Sequence, residues 1–150
     1  AWRTAAVAAL FRSGAMTKNF ARCVPALVLA LALPMVAQAT DMNPAAAKQA
    51  ATASAHAGMA LVAADLPTVQ EHLHHVVNCL VGPAGAGFDA QAGNPCKDQG
   101  QGAIVDAKGD APTEVRLKSA LDHATHGLQD STLEGAHADA QQAMTTLQAK

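Results

Sequence analysis

The densest concentration of chemically capable side chains is EHLHHVVNC, residues 71–79, which holds three of the chain's seven histidines in four positions with a thiol one turn on. Neutral imidazole ligates zinc, copper, nickel or haem iron, and a thiolate adds a softer donor. On a helix, successive side chains are rotated by about 100°, which sorts these groups onto faces. With Leu73 as origin, His72 falls at about −100°, Cys79 at about −120° and His75 at about −160°, whereas His74 lies on the other side at about +100°. The motif thus presents His72, His75 and Cys79 on one flank at i, i+3 and i+7, with His74 apart.

A second H-x-x-H pair, His123 and His126, lies further on. Taking Leu117 as origin, the apolar stripe is Ala120, Leu121, Ala124 and Leu128, with His123 at about −120° and His126 near 180°. Residues at i and i+3 are neighbours on a helix. His72, His75, His123 and His126 are therefore the expected ligands of a transition metal, copper or zinc ahead of haem. A thioether from Met59 or Met144 would favour copper(I). His137 falls inside the stripe of Leu133, Ala136, Ala140 and Met144, so it either ligates or pairs with a carbonyl. The competing view is that the pairs are solvated faces. A shared ion requires both pairs to converge within about 5 Å, since ligand nitrogens sit about 2 Å from zinc. His56, on an almost all-alanine segment, has no readable face.

Cys79 belongs to two incompatible arrangements, a thiolate ligand or half of a disulfide with Cys96. The front of the chain bears on the choice. Met16 opens a stretch with Lys18 and Arg22, an apolar run from Val24 to Val36, and Ala37-Gln38-Ala39, a small-x-small exit. That composition is the pattern of a secretory signal peptide over residues 16–39. Residues 1–15 then read as an upstream extension, and the mature chain as residues 40–150. Its run is shorter than the roughly 20 residues that span a bilayer, and no transmembrane segment is expected in the mature chain. Export to the periplasm or beyond meets an oxidising compartment, which favours the Cys79–Cys96 disulfide.

Without the leader, six Lys/Arg stand against twelve carboxylates, so the formal charge is six minus twelve, or −6. Phe88 is the last aromatic. An acidic chain without basic clusters or stacking rings is a poor match for nucleic acid. Nine leucines and seven valines among many alanines make a thin core, the kind of small domain that needs a covalent staple.

The elements that must position these groups are read from punctuation. Asn43-Pro44 caps a first helix over about 44–64. Asp65-Leu66-Pro67 breaks it, and a Thr68–Glu71 capping box starts a second over 69–81, closed by Gly82-Pro83. Residues 82–111 form a long glycine-rich loop, with at most a short extended piece at 103–105. Helices over 112–128 and 132–149 follow, the last from a Ser131–Glu134 capping box. The expected fold is all-α, a small antiparallel four-helix bundle, with two hairpins completed by homodimerisation as the alternative. Two E-x-x-H motifs, at Glu71 and Glu134, resemble di-iron ligation, but the first helix lacks the glutamate such a site needs. No nucleophile elbow, P-loop or zincin motif is present, so no enzyme is expected. The chain reads as an exported, non-enzymatic metal-binding helical protein. The alternative is a structural or interaction module with an envelope protein partner and pH-sensing histidines.

Overall fold

The computed structural model describes residues 42–150; the leader-like segment 16–39 and residues 1–15 lie outside the described residues. Five helices and no strand occur among the described residues. They are α1 (Pro44–Val62), α2 (Leu66–Val81), the single-turn α3 (Ala103–Asp106), α4 (Ala111–Gln129) and α5 (Leu133–Gln148). No described helix is long and apolar enough to cross a membrane.

The helix starts follow local chemistry. The Asn43 side chain accepts the Ala45 amide and Pro44 takes the first helical position, where no amide is needed. The start of α2 differs from the expected capping box. Asp65, anticipated as part of a breaker, is the cap: its carboxylate accepts the Thr68 N–H at 2.9 Å, and its carbonyl accepts from Val69. Pro67 is then harmless in the first turn, and α2 begins at Leu66. In α5 the cap is Thr132, one residue later than anticipated, its hydroxyl accepting the Gly135 amide.

Burial follows the apolar stripes. On α2, Val69, Leu73, Val76, Val77 and Leu80 are all buried. They meet Ala46, Ala50, Ala53, Ala57 and Ala60 of α1, Leu117, Ala120 and Ala124 of α4, and Ala136, Ala140, Ala143 and Leu147 of α5. The main packing partners of α2 and of α5 are α1 and α4, which lie between them, and α2 also touches α5 across the core. Hydrogen bonds give their directions. Gln70, early in α2, donates to the carbonyls of Leu128 and Asp130 at the end of α4. Arg116, early in α4, donates to the Ala149 carbonyl after α5. His137, early in α5, meets the Ala63 carbonyl after α1. Neighbouring helices therefore run antiparallel.

An alanine seam permits close approach but buries few methylenes, each worth about 0.8 kcal/mol. Covalent and polar ties complete the fold around the loop. Cys79 and Cys96 are joined in a buried disulfide, with Cα atoms 5.2 Å apart. Gln49, only 1% exposed on α1, donates to Asp106 at 2.6 Å and accepts the Gly102 amide at 2.9 Å. That anchor explains why residues 103–106 form a helical turn rather than the anticipated extended piece. Gly102, at φ 120°, redirects the chain, the Asp106 and Ala107 amides bond back to Gly102 and Ala103, and Ala103 is buried.

Candidate metal centre

α1 and α2 form a hairpin turning at about Ala64. His56 lies eight residues before Ala64 and His72 eight after it. At about 1.5 Å rise per residue the two sit level across an antiparallel pair. The neighbours of His56 on the inner side are Ala53, Ala57 and Ala60, with no bulk to hold the helices apart. The His56 ring meets His72 at 5.6 Å between centroids and His75 at 4.7 Å, with His72 and His75 5.8 Å apart. One ligand nitrogen from each lies within 4.8 Å of the others, the one such grouping of three or more His, Cys, Asp or Glu among the described residues. The Nδ1 atoms of His56 and His72 are 3.4 Å apart. Two nitrogens on a tetrahedral zinc, with bonds of ~2.0–2.1 Å, are separated by about 3.4 Å.

The third imidazole has a determined tautomer. His75 Nε2 is 2.6 Å from the Ala92 carbonyl oxygen. A carbonyl only accepts, so Nε2 carries a proton, and in the neutral ring Nδ1 is then the nitrogen with the free lone pair. That Nδ1 is buried and has no hydrogen-bond partner among the described residues. Backbone carbonyls orient metal-binding histidines in this way, fixing the ring and leaving the other nitrogen as donor. Charge points in the same direction. Burial, then the imidazoles of His75 and His72, push His56 down from 6.5 to about 4, so it stays neutral at physiological pH.

The other expected ligands are elsewhere. His123 and His126 do not join His72 and His75; they face Asp139 on α5, their Nδ1 atoms 3.6 and 3.0 Å from its two oxygens. The histidines that gather are His56, His72 and His75 across α1 and α2, not the four expected across the second and third long helices. Both pairs occupy the same angular flank of their helices, but α2 and α4 run in opposite directions, which reverses the sense of rotation seen from one end. Equal offsets then point to opposite sides, toward α1 from α2 and toward α5 from α4. His137 bonds through Nε2 to the Ala63 carbonyl at 3.0 Å. His74 lies 3.5 Å from Asp89. Cys79 is committed to its disulfide and offers no thiolate.

No family model, curated protein or solved structure matches this chain. The geometry offers three imidazole nitrogens close enough to hold one metal ion, with no Cys, Asp or Glu in that group among the described residues. His56 is the residue that facial periodicity missed. The signal that finds it is the equal spacing of His56 and His72 about the Ala63–Asp65 turn.

Proposed function

We propose that this chain is an exported, non-enzymatic protein that binds a transition-metal ion, zinc or copper, through His56, His72 and His75. The four long helices, read as an antiparallel bundle, serve as the scaffold. The observation that carries this reading is the His75 ring: Nε2 is held by the Ala92 carbonyl while the buried Nδ1 has no donor to accept from among the described residues. A buried polar atom without a partner is costly, and here two further imidazoles share its neighbourhood. A divalent or cuprous ion would take the unpartnered His75 lone pair together with the His56 and His72 nitrogens, which otherwise share a proton between their Nδ1 atoms. The donor set suits zinc and copper, for which neutral imidazole is a common ligand. Export is supported by the buried disulfide, which forms and persists in oxidising compartments.

The test is a titration of tag-free, chelator-stripped protein with Zn²⁺ and with Cu²⁺, repeated on His56→Ala and His123→Ala. Losing a ligand should weaken binding by more than the roughly 10–100-fold typical of an outer-sphere change. His123→Ala should leave affinity as in the wild type. Equal affinities for the two variants would remove the basis for the site.

A further inference from the structure

The glycine-rich loop after α2 meets the three-histidine cluster through the Ala92 carbonyl, which bonds His75. Ties of three kinds hold that carbonyl in place, two donated hydrogen bonds, one accepted hydrogen bond and one covalent bond. The fully buried Asn78 donates through Nδ2 to the carbonyls of Asp89 at 2.7 Å and Gly93 at 2.6 Å. Its Oδ1 accepts the Asp89 amide at 2.8 Å. Both sides of residues 90–92 are thus fastened to α2 one turn below His75. The last tie is covalent: Cys79, adjacent to Asn78, is bonded to Cys96, three residues beyond Gly93. Between the two cysteines, Gly82, Gly87 and Gly93 have positive φ, and their freedom is what an unbridged loop would recover.

We propose that this disulfide-closed loop is the outer shell of the metal centre, with Asn78 as its positioning residue, so that metal retention depends on the oxidation of Cys79 and Cys96. The inference rests on the His56, His72 and His75 site. In forming the bridge, each thiol loses one proton and one electron. The two electrons and two protons pass to a disulfide donor, which leaves as a dithiol; a dithiol or phosphine reductant reverses the step. With the bridge closed, the Ala92 carbonyl holds the His75 proton on Nε2 and leaves Nδ1 free to ligate. With the bridge open, the loop drifts, the ring loses its orienting acceptor, and the third ligand is no longer prepared.

The test compares Zn²⁺ affinity, by competition with a chromophoric chelator, in the oxidised full chain, Cys79→Ser/Cys96→Ser and Asn78→Ala with the bridge intact. Circular dichroism identifies a temperature at which the variants keep wild-type helicity. The ring ¹⁵N signals of His75 are recorded alongside, because a residue that only supports the fold would not change its tautomer. Both variants should bind Zn²⁺ about 10–100-fold more weakly, the loss usual for an outer-sphere partner, and His75 should pass from a single Nε2–H tautomer to an exchanging mixture. If the double variant does not fold, Asn78→Ala and its His75 spectrum decide. Unchanged affinity and tautomer in the folded variants would overturn the inference and leave the three-histidine site standing. Tighter binding on phosphine reduction, with the Cys79 thiolate joining the ligands, would also overturn it. An oxidised wild type that binds no Zn²⁺ would instead remove the site itself.

Discussion

Acidification of the metal-free protein should expose the cost of keeping His56 neutral. Burial and the imidazoles of His75 and His72 lower His56 from 6.5 to about 4 in the folded chain, while in the unfolded chain it titrates at its ordinary value. Above about pH 6.5 both states carry a neutral ring and His56 has no pH-dependent effect. Between 6.5 and about 4 the unfolded chain binds the extra proton, so folding stability falls as pH falls through this window. At about pH 4.5 this linkage, discounted for solvent screening because His56 is only half-buried, comes to about 1–2 kcal/mol. Urea unfolding followed by circular dichroism, on chelator-stripped wild type and His56→Gln at about pH 7.5 and about pH 4.5, isolates this share as a difference of differences. The wild type should lose about 1–2 kcal/mol more than the variant. Identical losses in the two proteins would refute the claim that the fold holds this imidazole neutral.

Three further outcomes follow from the packing. Cys79→Ser/Cys96→Ser should lower unfolding stability by about 3 kcal/mol, the chain-entropy value for a loop of this length, measured by urea denaturation. Gly127→Ala should destabilise by about 1–2 kcal/mol despite alanine's better helix propensity, because its Cβ would lie 2.7 Å from Leu73 Cδ1 in the buried core and 3.1 Å from Asp139 Cβ; a raised melting temperature would contradict the close approach there. His137→Ala should remove the bond to the Ala63 carbonyl at a cost of about 1 kcal/mol, and Zn²⁺ affinity should not change.

How far the chain can be read in advance depends on which side chains carry the signal. α2 was legible throughout its body: branched apolar residues alternate with polar ones at helical spacing, and all five stripe residues are buried as their angles imply. Its start was misplaced because two capping arrangements compete over residues 65–71, and the nearer Asp65 carboxylate captures the Thr68 amide. α1 was legible as a helix but not as a face, since alanine is equally compatible with core and solvent. His56 therefore could not be oriented by periodicity, although its distance from the turn was in plain view.

Local chemistry along the chain was enough to determine the helical class, the start of α1 at Asn43-Pro44 and the buried stripe of α2, because each depends on groups within a few turns; the Cys79–Cys96 bond was favoured over a thiolate ligand only through the expected export, and the structure joins the two. Which histidines gather was decided only by the assembled helices. Which neighbour a flank meets depends on the direction of every helix around the core, and antiparallel packing turned His72 and His75 toward α1 and His123 and His126 toward Asp139. The bare Nδ1 of His75 likewise required a loop carbonyl seventeen residues away to arrive at its other nitrogen, a juxtaposition that no local pattern encodes.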